Sequence, residues 1–254
     1  MTLPALVAFD LDDTLAPSKS ALEPPMVDVL LRLLDRAEAC VISGGAYEQF
    51  RSQVLGPLAA ADAASSAARL DRLHLMPTCG TQYYRYDGGD WHRRYAEVLD
   101  EDAVRRAVDA LERHAKSLGF WAAETWGPVI ENRTSQVTFS ALGQAAPVAA
   151  KAAWDPDGSK KQELRAAVAT ELVDLEVRSG GSTSIDITRR GIDKAYGMRR
   201  LRDATGIAFD DMLFVGDRLD EGGNDFPVIA LGVPTHAVHG WRDTVAFLED
   251  LLSR

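Results

Sequence analysis

Cysteine is nearly absent from this sequence. Cys40 and Cys79 are the only two in 254 residues, and they lie far apart in unrelated contexts. That excludes a disulfide framework and a thiolate zinc site, both of which need more thiols at closer spacing. No apolar run approaches the roughly 20 residues that a bilayer-spanning helix requires, and the first residues lack the basic stretch, apolar core and small-residue cleavage site of a secretory signal. The expectation is a cytoplasmic, reduced protein with no membrane partner. Cations are scarce too: 28 Lys and Arg stand against 38 Asp and Glu, a formal net charge of −10. A nucleic-acid partner calls for a basic face, so none is expected. An anionic small molecule is not excluded, because a metal ion and a few local cations invert the potential of a single cleft. The five histidines show no metal-ligand spacing, and the five tryptophans form no stacking array.

What is present is an ordinary globular composition, 46% hydrophobic and 26% charged, long enough for one large or two modest domains. The first eighty residues alternate strand and helix signals. "ALVAF" reads as a buried strand, and a helix follows Pro24-Pro25 with Met26, Val29, Leu30, Leu33 and Leu34 on one face. "ACVIS" and "RLHLMPT" read as further strands, and the alanine-rich stretch 59–68 as helix. The middle differs. "TQYYRYDGGDWHRRY" reads as two strands joined at a Gly-Gly turn, Asp100 as the N-cap of an amphipathic helix, and 129–132, 135–140, "DLEVRS" and "TSIDIT" as short strands suited to antiparallel pairing. After about residue 190 the alternation resumes with a helix from Lys194, a strand "DMLFVGD", another strand within "PVIALGVPTHAV" and a C-terminal helix. The fold class expected is α/β: a three-layer Rossmannoid core of mainly parallel sheet (1–80 and 188–254), with an inserted α+β cap at 81–187.

The chemistry lies at the strand ends. In parallel α/β sheets ligands bind at the carboxyl ends of the strands, and here these ends deliver Asp10 and Asp12, Ser43, and Asp217. A strand-terminal Asp on its own often just caps the next turn; together these residues describe a site. In "VAFDLDDTLAPSK" a buried strand runs into three crowded carboxylates. Such crowding is tolerable beside a divalent cation, and an oxygen-only ligand set selects Mg²⁺. A carboxylate held there is a nucleophile toward phosphorus, and a second carboxylate two residues on is placed to protonate a leaving oxygen. Ser43 and Lys194 are of the types that clamp a phosphoryl group.

These segments resemble the haloacid dehalogenase-like phosphotransferases. "DLDDT" is similar to their first motif, Ser43 in "VISGG" to the second, Lys194 in "GIDKAYG" to the third and Asp217 in "FVGDRLDEGGND" to the fourth, in order along essentially the whole chain. The resemblance implies an α+β cap of the type IIB class between the second and third motifs. It also implies Asp10 as nucleophile and metal ligand, Asp12 as general acid/base lending a backbone carbonyl to the metal, and Thr14 fixing the turn. Asp217 would be a further ligand, with Asn224 and Asp225 close by and Gly44 contacting substrate beside Ser43. Asp13 occupies a place where many relatives have glycine.

Within that superfamily, "GGNDFPV", "GGSTSIDITRRGIDK" and "VIENRTSQVTFSALG" resemble eukaryotic-type phosphomannomutases. The resemblance implies that Ser184 and Asp186 face sugar hydroxyls, that Arg133 holds a distal phosphate or sugar oxygen, and that Lys19 lies near the transferring phosphate. Two departures stand out: Trp126 and Gln144 occupy places where the mutase pattern has arginine. Guanidinium–phosphate pairing is hard to replace; Arg178, Arg189 and Arg190 are the candidates to compensate, although Arg189 and Arg190 read as a turn at the cap's exit. The sequence therefore leads to a Mg²⁺-dependent phosphatase of a small phosphomonoester, a sugar phosphate, acting through an aspartyl phosphate. The alternative is an isomerase interconverting mannose 1-phosphate and mannose 6-phosphate. Either way the partner is a phosphorylated small molecule and the chain a monomer or homodimer.

Overall fold

A computed structural model describes residues 3–61, 69–181 and 183–254. Strand β1 (Leu6–Phe9) is buried at every residue, as a strand covered on both faces must be. Its side chains alternate between two separate cores. Val7 and Phe9 pack with Met26 and Leu30 of helix α1 (Pro24–Leu34) and with Leu248 and Leu251 of the C-terminal helix Trp241–Ser253. Leu6 and Ala8 pack with Met198 and Leu201 of the helix Lys194–Thr205 and with Val228. The same alternation continues in β2 (Glu38–Ile42) and in the strand Met212–Gly216, which produces the three layers.

Numbering strands in chain order, the main sheet runs β11 (Thr235–Ala237), β10 (Met212–Gly216), β1, β2, β3 (Leu73–Met76), β4 (Gln82–Asp87), β5 (Asp90–Ala96). The first five are parallel and β4 is antiparallel to β3. From β1 the chain proceeds to β2 on one side and meets β10 on the other, so β1 and β10 flank the point where strand order reverses. Ligands bind beyond the carboxyl ends of strands at such a switch point.

The chain divides into two compact units, Met1–Tyr95 with Asp193–Arg254, and Ala96–Ile192. The sequence reading set the insertion at 81–187; the hairpin of β4 and β5 instead extends the edge of the main sheet, with His74 opposite Arg85 and Leu75 opposite Tyr84. The second unit has its own antiparallel sheet, ordered β6 (Ile130–Asn132), β7 (Val137–Ser140), β9 (Ser184–Arg189), β8 (Leu175–Ser179). Helices Glu101–Ser117 and Ser159–Glu171 cover one face through Leu111, Leu164 and Val168 against Val137, Phe139, Ile185 and Ile187. As read from sequence, Asp100 caps the first of these helices, its side chain accepting the Ala103 N–H at 2.7 Å.

Two local expectations change. "PVIALG" is a 3-10 turn, Phe226–Leu231, begun by Pro227 and ended by Gly232 in left-handed conformation; the strand is confined to Thr235–Ala237. The alanine-rich stretch is helical through Gly56–Ala61, and its remainder, 62–68, lies outside the described residues. No helix among the described residues is long and apolar enough to cross a membrane.

Candidate active site

The Asp10 N–H donates to the Val215 carbonyl at 3.0 Å, which ties the end of β1 to the end of β10. Beyond Asp10 the chain folds back on itself. Leu15 N–H bonds to the Leu11 carbonyl and Asp13 N–H to the Ala16 carbonyl. Asp13 adopts φ 61°, the left-handed region that favours glycine and that Asp tolerates better than most side chains. Thr14, fully buried, donates its hydroxyl to Asp217 Oδ1 at 3.2 Å, and its carbonyl accepts the Thr244 hydroxyl at 2.7 Å. Thr14 thus joins the first loop to the β10 end and to the C-terminal helix.

Lys194 arrives from the other side of the sheet. Asp193 caps its helix by accepting the Tyr196 N–H at 2.8 Å, which leaves Lys194 as the first helical residue. One turn on, Gly197 allows that helix to meet the turn after β3: a Cβ there would lie 2.9 Å from the Cys79 carbonyl oxygen. The Lys194 side chain is buried, with Nζ 2.6 Å from Asp10 Oδ1 and in closer contact with Asp225 Oδ1. Asp225 Oδ2 accepts the Arg218 N–H at 3.1 Å.

Asp10, Asp217 and Asp225 offer carboxylate oxygens that all lie within 4.8 Å of one another. Three carboxylates against one ammonium leave an excess of two negative charges, in a place where Asp10 and Asp225 are buried and Asp217 half-buried. The electrostatic consequence is visible in the acids. Burial, reinforced by Asp225 and Asp217 and opposed by Lys194, pushes the Asp10 carboxyl up to about 8. Burial and Asp225 likewise raise Asp217. Burial works against the Lys194 charge, but Asp10 and Asp225 outweigh it and hold the ammonium protonated. An oxygen-only donor set with two uncompensated negative charges fits a divalent cation such as Mg²⁺.

Asp12 is turned to different company. Its Oδ1 accepts the Lys19 N–H at 2.8 Å and Gln53 Nε2 at 3.3 Å; its Oδ2 accepts Lys19 Nζ at 2.6 Å and Gln49 Nε2 at 3.2 Å. Burial raises its proton affinity, but the Lys19 charge and these donors more than offset that and hold the carboxyl below the usual range. Ser43 sits at the end of β2, its Oγ accepting the Gly45 N–H at 3.2 Å, with Gly44 between them. Asn224, on the same turn as Asp225, is exposed.

The first unit therefore brings together Asp10, Thr14, Lys194, Asp217 and Asp225, with Asp12, Lys19, Ser43 and Gly44 in the adjoining loops. Gln49 and Gln53 belong to the site and were not singled out in the sequence. Their spacing of four on a helix directly after "GG" was the available signal.

Arg133, Ser184 and Asp186 lie in the second unit, on or beside the sheet face its helices leave uncovered. Asp186 Oδ1 accepts the Thr138 hydroxyl at 2.7 Å and Gln136 Nε2 at 2.8 Å. The Ser184 and Ser140 hydroxyls are 3.2 Å apart, and Gln144 Nε2 donates to Ser140 Oγ at 2.7 Å. Arg133 pairs with Glu131 at 2.7 Å and Arg178 with Glu176 at 3.6 Å; Arg189 donates to the Val98 carbonyl, and Arg190 is exposed. Trp126 is 47% exposed.

The sequence matches the family model described as Eukaryotic phosphomannomutase over residues 70–254. Similar proteins include human Phosphomannomutase 1, 24% identical over 94% of this chain and 89% of that protein, and the phosphomannomutase of Babesia bovis, 24% identical over 98% of each. Among solved structures, a haloacid dehalogenase-like hydrolase from Bacteroides thetaiotaomicron shares the fold, with a TM-score of 0.62 at 15% identity over 98% of this chain and 99% of that one.

Proposed function

The chain belongs to the eukaryotic phosphomannomutase family, and from that premise we propose that it moves the phosphoryl group of a hexose phosphate through Asp10 in a phosphomannomutase-type isomerisation. The carrying observation is the Asp10 carboxylate, buried at the strand switch point, bound by the Lys194 ammonium and crowded by Asp217 and Asp225. The sequence alone put hydrolysis first. The matched family and relatives that span nearly the whole chain, themselves named phosphomannomutases, move the weight to isomerisation.

In the first step an Asp10 oxygen attacks phosphorus, the bond from phosphorus to the sugar oxygen breaks, and Asp12, in the protonated form that a substrate phosphate drawing Lys19 away would favour, gives that oxygen its proton. In the second, another hydroxyl of the sugar attacks the aspartyl phosphate, Asp12 takes its proton, and Asp10 is released. Lys194 opposes the burial that raises Asp10 and offsets charge on the transferring group, and Ser43 and Gly44 hold its oxygens. Lys19 is the cation of the entry loop. Ser184 and Asp186 bind sugar hydroxyls, and Arg133 a sugar or distal phosphate oxygen. Asp10, Asp217 and Asp225, with the Asp12 backbone carbonyl and Asn224 nearby, would hold a Mg²⁺ ion, which when bound would supply positive charge to draw a phosphate ester to an anionic nucleophile.

One observation favours a second reading, a sugar-phosphate phosphatase in which water replaces the second hydroxyl. Gln144 and Trp126 stand where the mutase pattern has arginines, and Gln144 turns its amide to Ser140, so the cap face has fewer groups for a second phosphate. Product partition separates the two. With mannose 1-phosphate, Mg²⁺ and a hexose bisphosphate, isomerisation yields mannose 6-phosphate with little inorganic phosphate. Steady phosphate release without mannose 6-phosphate would establish the phosphatase instead.

A further inference from the structure

Gln49 and Gln53 reach Asp12 from one segment whose geometry is unusual. The helix Tyr47–Phe50 passes into a π-helical turn, Arg51–Leu55, before α-helix resumes at Gly56. Such turns are rare and concentrate at functional sites, because the extra residue re-aims the side chains after it. Gln49, on the helical turn just before it, is half-buried, Gln53, within it, is almost fully buried, and both donate to one carboxylate. We propose that Gln49 and Gln53 are positioning residues that hold the Asp12 carboxylate in a single orientation for its acid–base work, a role that rests on the assignment of Asp12 as general acid/base.

The hydrogen bonds fix the direction of both amides. Gln49 bridges: its Oε1 accepts Lys19 Nζ at 3.2 Å while its Nε2 donates to Asp12 Oδ2. A flipped amide would set an oxygen against the carboxylate and a donor against the ammonium. Gln53 Nε2 donates both to Asp12 Oδ1 and to the Ser20 carbonyl at 2.6 Å. Its Oε1 is buried with no hydrogen-bond partner. Leaving a buried carbonyl unsatisfied is costly, and the amide still faces this way because both acceptors lie on one side of it. The backbone makes room as well: a Cβ on Gly45 would fall 2.3 Å from Gln49 Oε1. The second glycine of "VISGG" is thus the residue that lets Gln49 reach the first loop. Together the two glutamines and Lys19 use both oxygens of Asp12, so the carboxylate cannot turn without exchanging partners.

A group that positions a general acid matters only when the leaving oxygen needs a proton. The test compares the rate of phosphoenzyme formation, followed by rapid quench, from two esters. p-Nitrophenyl phosphate expels a phenolate that leaves unprotonated. The sugar ester expels an alkoxide; glucose 1,6-bisphosphate serves if the enzyme isomerises and mannose 1-phosphate if it hydrolyses. Gln49→Ala and Gln53→Ala should each slow the sugar ester by about tenfold or more, part of what general acid catalysis contributes, while the aryl ester slows by less than about twofold. Gln53→Glu keeps the bulk and removes the donor, and should show the same selective loss; this separates the hydrogen bond from packing. Equal slowing of both esters, or a fully active Gln53→Glu, overturns the proposal. Asp12→Ala is the control. If it slows both esters alike, the acid–base reading fails and the proposal with it. If it is selective and the glutamine variants are not, only the proposal fails.

Discussion

The carboxyl ends of β1 and β10 and the open face of the cap sheet both gather buried or half-buried polar groups, but they satisfy them by opposite means. At the strand ends the groups are charged and few: one ammonium bonded directly to two carboxylates, a third carboxylate nearby, and an excess of negative charge. On the cap face amides and hydroxyls are linked around one carboxylate, Gln136 and Thr138 onto Asp186, Gln144 onto Ser140, Ser140 beside Ser184, and the cations there, Arg133 and Arg178, are each paired with a glutamate. A buried charge without its partner is severely destabilising, so members of the first group are not exchangeable one at a time. Hydroxyls and amides both donate and accept, so members of the second can change partner and still be satisfied.

Substitutions should separate the two regions sharply. Asp10→Asn removes the nucleophile while preserving its shape, and should lower phosphoryl transfer by at least about 10⁴-fold with the fold retained; steady-state rates together with a thermal melt check both halves. Lys194→Met leaves Asp10 and Asp225 buried without their shared cation, and should cost about 3–5 kcal/mol of stability besides activity, as read by urea unfolding. A loss under about 1 kcal/mol would mean that these carboxylates are not relying on the lysine.

In the cap the expected effects are smaller and confined to binding. Gln144→Arg adds a cation beside Ser140 on the cap face, and should tighten a hexose bisphosphate by about tenfold, the scale of one added hydrogen bond to a charged group. The rate of phosphoenzyme formation at saturation should stay within about twofold. If that maximal rate changes as much as the affinity, the division between chemistry in the core and selection in the cap is wrong.

The smallest effect lies away from both regions. His74 is buried on β3 between Glu38, 2.6 Å from Nε2, and the Tyr83 hydroxyl, 2.8 Å from Nδ1. Burial, with the nearby Arg85 charge, depresses its pKa below 6.5 despite the Glu38 contact. The unfolded chain therefore takes up this proton first, and stability should fall as pH drops below 6.5. The Glu38 pKa is depressed as well, chiefly by its bond to His74, so its contribution is present above 4.5 and is lost as pH falls below that value. Melting temperatures from pH 7 to 5 should decline, and His74→Gln should flatten the decline while lowering its starting point.

The strand ends were legible in the sequence because a buried strand running into carboxylates is a local pattern, and order along the chain linked one such end to the next. Three things were not legible. The β4–β5 hairpin read as part of the insertion because its partner, β3, is fixed by pairing that no local pattern announces. Gln49 and Gln53 were not singled out, since the π-helical turn that carries Gln53 has no composition of its own. His74 drew no attention for lack of a metal-ligand spacing, yet it is buried between two strands; its partners come from residues 36 and 9 positions away. In each case the deciding contact joins elements, and the sequence displays only what lies within one.

The most direct test is to quench the protein in acid after brief incubation with ³²P-labelled glucose 1,6-bisphosphate and Mg²⁺, then map the label. The account predicts label on the peptide containing Asp10, released by hydroxylamine as an acyl phosphate is, and absent from Asp10→Asn. Turnover without labelled protein, or label that persists in Asp10→Asn, would contradict it.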